Sequence, residues 1–348
     1  MASHPEFDQN TGAMEVAKAF EEQVRGKTAL VVGVSPQSLG ESITLSLASQ
    51  NPAHLILASR TRSKLEEIAD QVKKSGSTAR VSILVLDLGS QKDVERAAKE
   101  ISGLTDRLDI MINNAGLCVV KREFTPEGIE LQFGANHIGP FLLTNLLTPL
   151  LLRTARSPTT SPGSVRVVNV TSQGHRLCPI RFHDYNFDGK DIPAEERWAE
   201  GLPPSLTNGR DGEFYPGFIA YGQSKTANVL FAVELTERLG KEGVMAYAVH
   251  PGSIETSLSR NLDTEGQATI ANTSTFWKNL DQGGATILVA ALDPALSKPN
   301  PESVYLSDCQ LEPPAPHASD PAAAKRLWDL SEELVGRKFG ADKAVSVM

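Results

Sequence analysis

Short apolar runs alternate with longer amphipathic stretches along almost the whole chain. TALVVGV (28–34), HLILA (54–58), RVSILVL (80–86), LDIMI (108–112), VRVVNV (165–170), VMAYAVH (244–250) and ESVYLS (302–307) read as strands. Several are nearly continuous apolar runs, as strands covered on both faces require. Between them LGESITLSLASQ, SKLEEIADQVKKS, DVERAAKEISGL, the stretch from Pro126 to about Arg153, and YGQSKTANVLFAVELTERLG read as helices. Thr125, with Pro126 behind it, is expected to open the fourth of these as an oxygen cap and a first-turn proline. The alternation predicts an α/β fold: a doubly wound parallel sheet of about seven strands with helices on both faces.

Three segments break the rhythm. ARSPTTSPGS (155–164) reads as an exposed connection, and two long irregular insertions span about 175–219 and about 253–280. Loops of that length in a compact domain are commonly functional lids. The expected organisation is a polar extension over 1–26, one domain over 27–340 and a tail over 341–348.

Composition narrows the partners. A net charge of -8 argues against a nucleic-acid or anionic-membrane surface. Cys118, Cys178 and Cys309 are widely separated and form no CxxC, so neither a disulfide framework nor a zinc site is expected. No apolar run approaches the roughly 18 residues of a membrane helix, and the N-terminus lacks an apolar signal core. A cytoplasmic protein is the expectation.

Chemistry enters at VVGVSPQSLGES (31–42). A strand that ends in glycine and runs into a helix start brings backbone N–H groups and the positive end of a helix dipole together, as phosphate sites require. Dinucleotide loops use three glycines; here Gly33 suits the turn and Gly40 the close helix packing, while Gln37 or Ser38 takes the middle place. Ser38 is expected to hydrogen-bond a phosphate oxygen. Alone, the loop reads equally well as a bare strand–helix turn.

Four later stretches decide its reading. NNAG (113–116) follows the fourth strand, NVTS (169–172) ends the fifth, YGQSK (221–225) opens a helix and HPGSIET (250–256) follows the sixth strand. With the opening loop and the LDL around Asp87, the chain from about Lys27 to about Gly336 resembles the short-chain dehydrogenase/reductase family. NHIGPFLLTNLL, SKTANVLF, YAVHPG and LWDLSEELVG resemble its retinol-dehydrogenase-like branch, in particular soluble fungal members that share a GVSP-type loop.

The resemblance implies a Rossmann-type fold and a site. Tyr221 would be the acid/base and Lys225 its partner, also bonding the nicotinamide ribose; Ser172 would hold the substrate oxygen and Asn136 a water relay. Independently, Tyr221 and Lys225 are four apart and so share a helix face. A free tyrosine titrates near pH 10; an adjacent ammonium and an oxidised nicotinamide are expected to pull it toward neutrality. The cofactor would lie against Gly33, Ser35, Ser38, Leu39 and Gly40 of the loop, with Asp87 and Leu88 at the adenine. Asn114, Ala115 and Gly116 would lie under it, Asn114 also tying strands together, and Pro251, Gly252, Ile254 and Thr256 would frame the nicotinamide. His250 reads as a packed strand-end residue, and neither His137 nor His175 has metal-ligand spacing; no metal is expected.

At the end of the second strand, LASRTRSK carries Ser59 and Arg60 where an acidic residue would hold an NAD ribose. Arg60 suits a 2′-phosphate, so NADP(H) is favoured over NAD(H); Arg62 and Lys64 read equally well as a solvated helix start. Forty-nine positions separate Ser172 from Tyr221, and both ends of that insertion carry catalytic candidates. Its aromatics, Phe182, Tyr185, Phe187, Trp198, Phe214, Tyr215 and Phe218, suit either a substrate wall or a satellite core. The expected function is carbonyl–alcohol interconversion on a bulky hydrophobic or aromatic small molecule. Two rivals stand beside it, a non-redox isomerase or dehydratase and an NADP-sensing protein, and a homodimer is compatible with the family.

Overall fold

The computed structural model describes residues 2–210, 214–256, 258, 262–272 and 274–340. The expected tail, 341–348, lies outside the described residues.

In chain order the elements are α1 (Ala13–Ala19), α2 (Glu21–Val24), β1 (Thr28–Val32), α3 (Leu39–Ala48), β2 (His54–Ser59), α4 (Arg62–Lys74), β3 (Arg80–Val85), α5 (Gln91–Leu104), β4 (Ile110–Asn113) and α6 (Leu131–Phe133). A π-turn (Gly134–Ile138) leads into α7 (Gly139–Ala155), then β5 (Val165–Val170), α8 (Pro204–Thr207), α9 (Gly217–Leu239), β6 (Val244–His250), α10 (Thr264–Ala271), α11 (Leu280–Leu292), β7 (Tyr305–Ser307), β8 (Gln310–Leu311) and α12 (Pro321–Leu334). The strands form one sheet ordered β3-β2-β1-β4-β5-β6-β7-β8, parallel except for β8. The seven expected strands are present. The eighth, two residues long, pairs Leu306 with Leu311 across a tight turn.

Side chains alternate between the two faces, as strand geometry dictates. Leu30, Val32 and Ile56 enter a core with α5, α7, α9 and α12, whereas Val31, Leu55 and Leu57 enter a second core with α1, α3, α4 and α11. α7 is buried along most of its length against α5 and the sheet, with Phe141 against Trp328 of α12. By length and composition Leu131–Ala155 is a helical stretch able to cross a membrane, contrary to the sequence expectation, yet 78% of its apolar window is buried inside the protein.

The segment before Lys27 is docked. Ala13, Val16 and Ala17 of α1 are fully buried against α11 and α3. Ser3 N–H donates to Asp293 at 2.6 Å, and Gln310 donates to the carbonyls of His4 and Phe7, each at 2.9 Å.

Thr125 does not start the helix expected there. Thr125 to Gly128 form a turn closed by a bridge between Phe124 and Glu130, and Gly128 takes φ 77°. The cap is Glu130, fully buried, whose carboxylate accepts from Gln132 N–H at 2.9 Å, Phe133 N–H at 2.7 Å and the Tyr215 hydroxyl at 2.6 Å. Burial raises its pKa, while these donors oppose the shift.

Candidate functional site

The sheet order reverses between β1 and β4, the point at which doubly wound sheets open a crevice beyond their strand ends. A cleft of about 430 Å³ lies there. Its floor is built by glycines that permit close approach. Gly33 takes φ 98°, and a Cβ on it would fall 2.6 Å from the Ala115 backbone; one on Gly40 would fall 2.2 Å from the Gly33 carbonyl. Asn114 locks the pieces together by donating to the Gly33 carbonyl at 2.9 Å.

The place of the middle glycine is filled by Gln37 in the left-handed region, φ 55°. Its N–H is already bound, to Glu41 Oε2 at 2.7 Å. Ser38 departs from expectation. Its hydroxyl donates to the Ser35 carbonyl at 2.6 Å and accepts from Glu41 N–H at 3.3 Å, so it caps α3 and its proton is committed. What faces an anion is the helix start itself, where the first-turn amides of Leu39 and Gly40 have no partner within the helix.

Of the residues expected around a cofactor, Gly33, Ser35, Ser38, Leu39, Arg60, Asp87, Leu88, Asn114, Ala115, Gly116, Pro251 and Thr256 line the cleft. Gly40 lies beneath it as packing. Gly252, at φ 95°, and Ile254 stand outside the lining: the former rests on the stem of Lys278 and the latter packs at Gly283. Arg60 is exposed at the rim. Lys64 joins it, whereas Arg62 turns away toward Glu66 at 3.9 Å.

The inner end holds Tyr221, Lys225 and Asn136. Asn136 sits in the π-turn, a widened helical turn of the kind that recurs at functional sites. Its amide donates to the Leu117 carbonyl at 3.0 Å and to Ser224 Oγ at 2.9 Å, and its oxygen accepts from Leu117 N–H at 2.9 Å. Lys225, 3% exposed, donates to the Val170 carbonyl at 3.1 Å. A Cβ on Gly116 would lie 3.2 Å from Lys225 Nζ, so glycine keeps that approach open. Ser172 lines no part of the cleft but faces Tyr221 across Gly174: a Cβ there would lie 3.2 Å from the tyrosine ring and 3.5 Å from Ser172 Oγ.

Without a cofactor, the protein's own groups do not lower the phenol. They hold the Tyr221 phenol above its ordinary value, because burial disfavours phenolate and neighbouring Cys118 adds to this; the hydrogen bond to Ser172 acts the other way. Burial lowers Lys225 to about 8. At neutral pH the phenol therefore keeps its proton and the lysine its charge. Cys118, which sequence reasoning did not single out, is buried beside both, its thiol pushed up to about 12 by burial.

His137 bonds Ser331 Oγ at 2.8 Å. His175 is fixed as the neutral Nδ1–H tautomer: Nδ1 donates to the Ser172 carbonyl at 2.6 Å and Nε2 accepts from Ala315 N–H at 3.1 Å. His250 is buried at the end of β6.

The sequence profile described as short chain dehydrogenase matches residues 27–185. The chain is 35% identical over 254 residues to the oxidoreductase fscI of Fusarium equiseti, covering 71% of this chain and 94% of that protein. It is 32% identical to human retinol dehydrogenase 11, covering 90% and 87% respectively. The chain belongs to the short-chain dehydrogenase/reductase family. Its likeness is to the retinol-dehydrogenase-like branch, and it is an NAD(P)-dependent oxidoreductase of the carbonyl/alcohol class. Among solved structures, an uncharacterized protein of Mycobacterium paratuberculosis superposes with a TM-score of 0.62 at 27% identity, covering 90% of this chain and 95% of that one. An NADPH-bound carbonyl reductase from chicken fatty liver shares the fold at a TM-score of 0.55 and 17% identity, covering 83% and 99%.

In this dehydrogenase the lid aromatics do not wall the cleft. Phe187 and Tyr215 form a satellite core with Cys178 and Ile219, with Trp198 packed on it; Phe182 and Tyr185 pack on the main core, and Phe214 is exposed. Phe218 lies nearest the site without lining the cleft. With Cys118, Val120 and Leu262 it forms an apolar cluster against Tyr221, joined by Leu206 of the first lid and Ile270 of the second. Arg210 ties the lids together, 3.0 Å from Asp263 and 3.3 Å from Glu265.

Proposed function

We propose that this enzyme is an NADP(H)-dependent carbonyl reductase acting on bulky, apolar small molecules, with Tyr221 as proton donor. The observation that carries the reading is Tyr221 and Lys225 together at the inner end of a cleft whose rim bears Arg60 and Lys64, with Ser172 beside the Tyr221 ring at Gly174. The residues fit a dinucleotide. Gly33 and Gly40 let the loop pack closely beneath the start of α3, whose free first-turn amides would meet a pyrophosphate, and Arg60 and Lys64 offer cationic groups where NAD-binding chains carry a carboxylate. Bound there, the reduced nicotinamide supplies hydride.

The protein's part is proton supply and orientation. Ser172 Oγ and the Tyr221 hydroxyl converge on one substrate oxygen, and the tyrosine, protonated at neutral pH, gives its proton as negative charge develops there. Lys225 stabilises the phenolate left behind, and the proton that restores the phenol would enter from solvent on the side of the cleft that Asn136 shapes through Leu117 and Ser224. The apolar cluster of Val120, Phe218, Leu206 and Ile270 supports a hydrophobic substrate.

Two further readings belong here. α12 packs along α9 and sets Trp328 5.0 Å from Phe141 of α7 between ring centres, which supports a monomer over a dimer built on those helices. The burial of Leu131–Ala155 supports its reading as a core helix rather than a membrane span, in keeping with the cytoplasmic reading. The first test is titration with NADPH and NADH, followed by a panel of aromatic and aliphatic carbonyls. NADH binding alone, or no carbonyl-dependent oxidation of NADPH, would overturn the assignment.

A further inference from the structure

Lysine is seldom buried without a partner. Lys278, 5% exposed, ends the second lid. Its Nζ donates to Asp308 Oδ1 at 2.6 Å. Its backbone N–H donates to the Ser253 carbonyl at 2.8 Å, and it forms a parallel bridge with Ile254. Its methylene stem lies against Gly252, where a Cβ would fall 2.6 Å from Lys278 Cδ. One residue thus joins the two ends of the lid and props the turn from which the lid leaves the sheet.

Its partner sits in a tight hairpin. Asp308 and Cys309, the two-residue turn between β7 and β8, both lie in the left-handed region, at φ 46° and 66°, as such a turn requires, and aspartate is among the residues that tolerate it. Cys309 N–H donates to Thr286 Oγ1 of α11 at 3.1 Å, which fixes the turn with the Asp308 carboxylate beside the lysine. A tight turn anchored to α11, a buried cation and a glycine fitted to that cation's stem converge on one contact.

We propose that Lys278 and Asp308 are positioning residues, a clasp on the two ends of the second lid that keeps Thr256 and Leu258 in the wall of the cofactor cleft and sets how fast the cofactor leaves. The inference rests on the NADP(H) reading above. Thr256 and Leu258, which line the cleft, lie within the clasped segment just beyond Ile254. Opening the clasp frees both from their place in the wall.

Two variants remove the pair with little change of shape. Lys278→Met keeps the stem under Gly252, and Asp308→Asn keeps a side chain that tolerates the left-handed turn. In the protein without cofactor, hydrogen exchange at Ile254, Thr256 and Leu258 should accelerate about tenfold in each, as loss of an ion pair between the exposed and buried limits implies. NADPH dissociation, followed by nicotinamide fluorescence, should accelerate by the same factor, with the double variant adding nothing. A merely structural contact would lower the melting temperature without changing the release rate. Wild-type exchange in both variants overturns the clasp, whatever the cofactor proves to be. Faster exchange with unchanged NADPH release overturns its link to cofactor exit. If the unaltered protein binds no NADPH, the cofactor reading fails and the exchange result alone decides the clasp.

Discussion

The ammonium of Lys225 stands 5.5 Å from the centre of the Tyr221 ring, one helical turn away on the same face of α9. The pair titrates in opposite directions, the phenol upward and the lysine down to about 8, because both are shielded from water. Tyr221→Phe deletes the proton and keeps the ring. Turnover is expected to fall about 10²-fold or more, with cofactor affinity unchanged by calorimetry. Unchanged turnover would remove Tyr221 from the acid's role.

Arg60 is expected to read the 2′-phosphate. Arg60→Ala should weaken NADPH binding about 10- to 100-fold, the range of a hydrogen bond between charged groups. NADH binding should stay as it was. Equal weakening of both would assign Arg60 to general attraction.

Gly40 has no room for a side chain, since a Cβ there would meet backbone atoms of Gly33 and Val34. Gly40→Ala should destabilise the fold by about 1–3 kcal/mol, the range of overpacking, measured by urea denaturation. Because the displaced atoms form the cofactor loop, NADPH affinity should fall in the same protein. A stable variant that binds normally would show that the loop yields without consequence.

Acid should unfold the enzyme through its buried histidines. Burial lowers His137 and His250 to about 3 and His175 to about 4, all below the ordinary histidine value. The unfolded chain therefore binds protons first. Their contribution is complete above about pH 6.5 and is lost as pH falls toward 4, at up to about 1.4 kcal/mol per pH unit for each. Melting curves between pH 7 and 4.5 test this, and His137→Gln should flatten the dependence. An unchanged slope in that variant would show that His137 carries none of it.

Strands, crossover helices and the order of the motif-bearing turns were legible because their signals are local: apolar runs, periodicity and glycines at strand ends. What escaped depended on competition between partners. Ser38 has the side chain for a phosphate, but capping α3 occupies it. Thr125–Pro126 carries a helix-start signal that Gly128 diverts into a turn, and the true cap, Glu130, is not a favoured capping residue. The π-turn at Asn136 has no compositional mark, since it is a shift in hydrogen-bond register. The lid aromatics suited two destinations, and packing sent most of them to a satellite core. The docking of α1 was readable in principle, with Ala13, Val16 and Ala17 on one helical face.

Both lids grow from one half of the sheet, the first after β5 and the second after β6, while the connections after β1, β2 and β3 that line the cofactor end are short. One half of the sheet thus carries the glycine floor on short turns, and the other carries the long insertions. Rewriting the first lid would leave the strand pairings and that floor untouched, whereas the second lid also supplies Thr256 and Leu258 to the cleft wall. Transplanting the first lid alone onto a related sheet should therefore alter substrate choice and leave cofactor choice behind.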